Sequence, residues 1–167
     1  MSKWQKRIEG ETKKLLKKNN EDDRLFDFEI VESGKLFRIH FTIKNKDSLY
    51  YMDGQTITME VKTIYGSGED IFYYPEVKPL INFVSKIWHP NIGYKNGTIC
   101  IDILNDPEKW TPFYTIESIF NSIILLLDEP NIDSPQEIEA AREYQDVVIK
   151  NKNIDEWKKI ISTKFMR

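Results

Sequence analysis

Residues 85–114 follow neither the two-residue period of a strand nor the 3.6-residue period of a helix, and they interrupt a chain that is otherwise regular on both sides. Irregular stretches longer than about 12–15 residues are uncommon in compact domains, and are either disordered or functional. This one carries Trp88, Ile92, Ile99, Ile101, Ile103 and Trp110 among its prolines and glycines, a payload that favours an ordered segment packed on a core. Any fold for this chain must therefore use the segment as a wall rather than as a linker.

The flanking patterns say what that wall leans on. Residues 2–18, with Ser2 as a possible N-cap, place Trp4, Ile8, Leu15 and Leu16 in a charged background and read as an amphipathic helix weakened by Gly10. Residues 25–32 and 36–43 alternate, with Phe26, Phe28 and Ile30, then Phe37, Ile39, Phe41 and Ile43 on one face, joined through Ser33-Gly34-Lys35 as a hairpin. Residues 56–64 alternate again through Ile57, Met59 and Val61, and residues 80–84 offer a shorter strand. Residues 65–79 hold glycines and prolines that do not continue a sheet, and read as a loop.

Beyond the irregular segment, Ile116, Ile119, Phe120, Ile123, Ile124 and Leu127 recur at helical spacing over 115–128. Ser134-Pro135-Gln136-Glu137 has the capping-box pattern that opens a helix through about residue 149, and Asn153 can cap a last helix presenting Ile154, Trp157, Ile161 and Phe165. The expected class is α+β in one domain over 1–167: an N-terminal helix, a four-stranded antiparallel meander, a long ordered segment and three C-terminal helices.

Composition removes several functions. The longest apolar run, Ile123 to Leu127, has five residues, against the roughly 20 of a membrane-spanning helix. The start MSKWQKR has no apolar signal core. With 24 Lys+Arg against 27 Asp+Glu the net charge is −3, which gives no general pull toward phosphate backbones. Neither membrane nor nucleic acid is an expected partner. A single cysteine, Cys100, cannot form an intrachain disulfide and suits a reducing compartment, cytoplasm or nucleus.

Cys100 is also the main chemical candidate, because it lies inside the irregular segment rather than on a patterned core face. A lone free cysteine is most often a small buried hydrophobe. A Cys/His pair with His40 or His89 is a second option, and the scattered ligands make a metal site the weakest, so no metal or cofactor is expected. His89-Pro90-Asn91, taken singly, reads as a turn with His89 structural.

Taken together, Trp88-His89-Pro90-Asn91-Ile92, Asn96-Gly97-Thr98-Ile99-Cys100-Ile101-Asp102-Ile103-Leu104, Trp110-Thr111-Pro112 and Leu126-Leu127-Asp128-Glu129-Pro130-Asn131 resemble the ubiquitin-conjugating enzymes. The likeness runs from Arg7-Ile8 through Tyr51-Met52-Asp53-Gly54 and Tyr74-Pro75 to the last helix. It implies that Cys100 receives ubiquitin as a thioester from an activating enzyme and yields it to a substrate lysine or a ligase cysteine. A thiol near pKa ~8.5 exchanges acyl groups without a dedicated base, whereas a lysine near ~10.4 is almost wholly protonated at neutral pH and needs help. By the resemblance that help involves Asp102, with Asp133 and Ser134 at the lysine gate, while Asn91 either stabilises the oxyanion or braces the loop. Lys6, Arg7, Glu76, Pro112 and Phe113 fall where activating enzymes and ligases bind.

Three departures stand out. The Asn91–Cys100 interval is one residue longer than the common spacing, and the Cys100–Trp110 interval about two longer. Tyr74-Pro75-Glu76-Val77-Lys78-Pro79 lacks one proline of the family's pattern and puts a carboxylate, Glu76, where many members show an apolar residue. Two other readings stay open: a conjugating enzyme for a ubiquitin-like modifier, and a catalytically silent binding module of the same fold. Cys100 in the matching position argues against the second.

Overall fold

Strand alternation sorts apolar and polar side chains to opposite faces, and that sorting is visible in the computed structural model, which describes residues 2–18, 26–31 and 36–167, with side chains over 2–18 and 38–167. Strands β1 (Phe26–Val31), β2 (Leu36–Ile43), β3 (Ile57–Lys62) and β6 (Leu80–Phe83) form an antiparallel sheet in the order β1-β2-β3-β6. Phe28 pairs with Phe41 and Ile39 with Met59, so the alternating sets keep register across the sheet. The turn Ser33-Gly34-Lys35 and the side chains of Phe26, Phe28, Ile30 and Phe37 lie outside the described residues.

Ile39, Phe41 and Ile43 of β2 and Ile57, Met59 and Val61 of β3 are all buried. They share one core cluster with Ile116, Ile119, Phe120, Ile123 and Leu127 of helix α3 (Ile116–Asp128), and Phe41 meets Phe120 edge-on at 5.1 Å. Each such side chain removed from water contributes about 1.5–3 kcal/mol. The opposite sheet face is polar: Arg38 pairs with Glu60 at 3.0 Å and the His40 ring meets Thr58 Oγ1 at 2.8 Å.

Helix α1 (Lys3–Lys18) is capped by Ser2, whose Oγ accepts from the Gln5 N–H at 3.3 Å. It buries Ile8 and Leu15, but Leu16 is 46% exposed; the buried stripe runs Ile8, Glu11, Leu15, a spacing of three and four. The C-terminal elements are α3, α4 (Ile138–Tyr144), a π-helical continuation Gln145–Lys150 and α5 (Ile154–Lys164). Asn153 caps α5 as its sequence suggests, accepting from the Glu156 N–H, and Thr115, read as the first residue of its helix, instead caps α3 by accepting from the Ser118 N–H.

Three expectations need correction. Residues 65–79 are not simply a loop: Ile64–Ser67 (β4) and Asp70–Tyr73 (β5) form a separate two-stranded ribbon. Gly66 and Gly68, at φ +104° and +64°, shape its tip, so the glycines that exclude this stretch from the main sheet make a hairpin of its own. Ser134 does not cap α4, which begins at Ile138 with Glu137 in the cap position and no side-chain cap bond. The N–H groups of Gln136 and Glu137 instead donate to Pro90 O at 2.8 and 2.9 Å, so a tertiary contact replaces the local cap. The irregular segment is ordered as expected, but it contains a short helix, α2 (Asp102–Asn105).

Candidate active site

The approach to Cys100 is pinned by backbone geometry. Gly97, at φ +69°, lies so close to β6 that a Cβ there would stand 1.9 Å from Phe83 O. That approach allows the Phe83 N–H to donate to Gly97 O at 2.8 Å. Ile92 and Ile99 pair as an isolated bridge and are both buried, and the Cys100 N–H donates to Asn91 O at 2.8 Å. Cys100 is half-buried, and no hydrogen bond to its thiol occurs among the described residues.

His89 is fully buried, and its two ring nitrogens have opposite roles. Nε2 lies 2.8 Å from Leu126 O and must carry the proton, while Nδ1 accepts from the Asn91 N–H at 2.9 Å. Burial pushes its pKa down to about 4, so the ring is neutral and structural, as its sequence context indicates. Asn91, 1% exposed, uses both ends of its amide on the facing loop. Nδ2 donates to Asn131 O at 2.7 Å and, more weakly, to Ser134 O at 3.4 Å, and Oδ1 accepts from the Asn131 N–H at 2.8 Å. In this arrangement the amide braces the loop, with one donor hydrogen held firmly by Asn131 and the other only weakly by Ser134.

The structure thus links Cys100, through Asn91, to the loop carrying Asp133 and Ser134, both exposed. The Asp133 N–H donates to Asn131 Oδ1 at 3.0 Å, which shapes that loop from within. Asp102 opens α2 two residues past the cysteine, exposed, with Oδ2 3.0 Å from Lys109 Nζ. Trp110 donates from Nε1 to Pro75 O at 3.1 Å and stacks near Tyr114, ring centroids 5.6 Å apart.

Lys6, Arg7, Glu76, Pro112 and Phe113 form no part of this centre. Lys3, Trp4, Arg7, Tyr73, Tyr74, Pro75, Glu76 and Pro112 line a separate groove of about 420 Å³. Phe113 is 93% exposed, and Lys6 and Glu76 face solvent. Arg7 is committed inward: Nη2 donates to Pro112 O at 2.9 Å and Tyr114 O at 3.1 Å, and Nε pairs with Glu11. Sequence reasoning missed Glu11. Its buried carboxylate accepts from the Tyr74 hydroxyl at 2.8 Å and the Ile116 N–H at 2.8 Å, joining α1, the Tyr74-Pro75 turn and the start of α3. Burial, then the Glu11 charge, raise the Tyr74 pKa. The Arg7/Glu11 spacing of four was the available signal, but on a charged helix it reads equally as a solvated pair.

Among the described residues, no group of three or more His, Cys, Asp or Glu could hold a metal ion, and no helix is long and apolar enough to cross a membrane. The family model for "Ubiquitin-conjugating enzyme" matches residues 7–161. The chain belongs to the ubiquitin-conjugating enzyme family. Among similar curated proteins, Ubiquitin-conjugating enzyme E2 7 of Arabidopsis thaliana is 42% identical over 100 residues, 53% of this chain and 56% of that protein. Ubiquitin-conjugating enzyme E2 14 of the same plant is 44% identical over 84 residues, 44% of this chain and 50% of that protein. The chain therefore spans about half the length of the curated relatives it matches. A crystal structure described as that of a ubiquitin conjugating enzyme from Plasmodium yoelii superposes with a TM-score of 0.71 at 30% identity, covering 98% of this chain and 94% of the other. The α+β fold of that family is thereby the fold of this chain.

Proposed function

We propose that the chain is a ubiquitin-conjugating enzyme acting as a single catalytic unit, which carries ubiquitin as a thioester on Cys100. The observation that carries this reading is a half-buried, uncommitted thiol whose backbone is tied to Asn91 while Asn91 in turn holds the facing loop. Such a thiol is accessible to a large acyl donor and fixed against its surroundings.

In the loading step the Cys100 thiolate attacks the thioester carbonyl of ubiquitin on the activating enzyme. A new C–S bond forms as the donor thiolate leaves, so charge is conserved and no base must act in the transition state. In the transfer step a neutral lysine amine attacks the same carbonyl, the C–N bond forms, the C–S bond breaks with Cys100 leaving as thiolate, and the proton lost from the nitrogen passes to water or to the departing thiolate. Exposed Asp102 and Asp133 supply the negative potential that draws an ammonium toward the thioester, and Ser134 lies on the same rim. Asn91 acts by holding that rim in place. The groove beside Glu76, with Pro112 and Phe113, is where the activating enzyme and ligases dock; Lys6 adds an exposed positive charge. Substrates are protein lysines, and the lone thiol suits work in the cytoplasm or nucleus.

A charging assay tests this. ATP, an activating enzyme and ubiquitin should give one adduct that reductant removes; Cys100→Ser should give a reductant-resistant ester. Undiminished charging of Cys100→Ala would overturn the assignment. Charging by a ubiquitin-like modifier and its activating enzyme, with none by ubiquitin, would replace ubiquitin as the cargo.

A further inference from the structure

Past Cys100 the chain makes two tight turns before Trp110. The first is α2, closed by the Ile101 N–H donating to Asn105 Oδ1 at 3.0 Å and the Asp106 N–H donating to Asp102 O at 3.0 Å. The second is Asp106-Pro107-Glu108-Lys109, in which the Lys109 N–H donates to Asp106 O at 3.0 Å and the Glu108 N–H to Asp106 Oδ1 at 3.0 Å. Asp at the first position and Pro at the second are the residues such a turn favours. Buried Leu104 and the Trp110–Pro75 hydrogen bond anchor the pair of turns at their base. Lys109 is thereby aimed back along the chain, with Nζ 3.0 Å from Asp102 Oδ2 and 4.0 Å from Asp106 Oδ2.

We propose that Lys109 is an internal occupant of the Asp102 carboxylate, a gate that an acceptor lysine must displace before its amine can be held beside the Cys100 thioester. This rests on the conjugating function proposed above. An acceptor lysine arrives as an ammonium, and a carboxylate already bonded to a tethered ammonium attracts it less. A thiol acceptor brings no positive charge and meets no competitor. The gate therefore weights the chain toward cysteine acceptors over lysine acceptors. Lys109 acts here as an occupant and not as the acceptor: its Nζ is engaged with Asp102 Oδ2 at 3.0 Å, and hydrogen bonding to Asp102, then its charge, raise the Lys109 pKa. Both partners are exposed, so the pair is weak and salt-sensitive, and the effect on rate is about two- to fourfold.

The test is single-turnover discharge of the Cys100-linked ubiquitin thioester to free lysine and, separately, to a small thiol. Lys109→Gln should speed lysine discharge about two- to fourfold and leave thiol transfer at the wild-type rate, while Lys109→Arg, which retains the charge, should restore wild-type selectivity. In an Asp102→Asn background, Lys109→Gln should give no gain. Raising the salt concentration should narrow the difference between wild type and Lys109→Gln. Normal charging with unaltered or slower lysine discharge overturns the gate alone, as does equal acceleration with both acceptors or a gain that survives Asp102→Asn. Ubiquitin found on Lys109 by mass spectrometry would make that residue an acceptor and also overturns it. Failure of Cys100 to charge at all removes the conjugating reading, and the gate with it.

Discussion

The two flanks of Cys100 are built on different physics. Upstream, residues 85–99 are held by buried groups: a neutral His89, an Asn91 amide with both ends paired, and Ile92 and Ile99 in the core. Downstream, residues 101–109 bury Leu104, pack Ile101 and Ile103 partly against the core, and are otherwise organised by backbone turns and exposed charges. A buried polar bond cannot be removed without leaving its partner unpaired in a dry site, whereas an exposed ion pair is readily replaced by water. The upstream flank is thus a fixed part of the scaffold, and under the proposed function the downstream flank is where rate and acceptor choice can be altered without unfolding the protein.

Acid is the largest lever on that contrast. His89 has a folded pKa of about 4 against 6.5 as its ordinary value, so as pH falls the unfolded chain takes up the proton first. The stability this group confers is complete above about pH 6.5 and lost between 6.5 and 4, roughly 3 kcal/mol in total. Urea unfolding across that range should show the decline, and it should be shallower in His89→Gln; an equal slope in both would assign the acid sensitivity elsewhere. Next comes Asn91→Ala, which strands the Asn131 N–H and carbonyl and should cost about 2–3 kcal/mol. Charging and discharge should fall together. A stable variant that charges normally but fails to discharge would return the amide to oxyanion duty.

On the exposed rim the expected balance reverses. Asp102→Ala and Ser134→Ala should alter folding stability by less than about 0.5 kcal/mol, yet slow discharge to lysine several-fold more than transfer to a thiol. Because Ser134 does not cap α4, its loss should not carry the ~1 kcal/mol of a missing cap. Equal slowing for both acceptors would show general damage. The smallest expected change is Glu76→Phe. It should leave stability and intrinsic lysine discharge alone and raise discharge with ligases that bury an apolar anchor in the groove, since burying an unpaired carboxylate there costs several kcal/mol. Strong stimulation of wild type by most of a ligase panel, with no gain in the variant, would show that Glu76 does not filter partners.

What could be read in the sequence follows from how local the cause is. The four main strands, the capped start of α5 and the buried face of α3 are set by periodicity and by residues within one turn, and they stand where the pattern puts them. His89 as a structural residue was legible because an imidazole beside proline in a turn has few other uses. The misses are tertiary. Glu11 looks solvated until Tyr74 and Ile116 arrive from distant parts of the chain to surround it. The expected Ser134 cap lost to Pro90, which claims the N–H groups of Gln136 and Glu137. The β4–β5 ribbon was hidden because glycine signals an interruption and a hairpin tip alike.

The contact between β6 and Gly97 bears on solubility as well as on the placement of Cys100. β6 pairs with β3 along one edge, and along the other it meets the segment that carries the cysteine, through Phe83 to Gly97 and the bridge between Asn82 and Thr98. Open sheet edges template pairing with other chains, and folded proteins cover them with loops, charges or helices. Here the cover is the segment that leads into Cys100, and a glycine with no room for a methyl group is what lets it lie flat enough to do so. A side chain at position 97 would lift this cover from the edge, so defects in this arm of the molecule should surface as self-association of the sheet as well as lost activity.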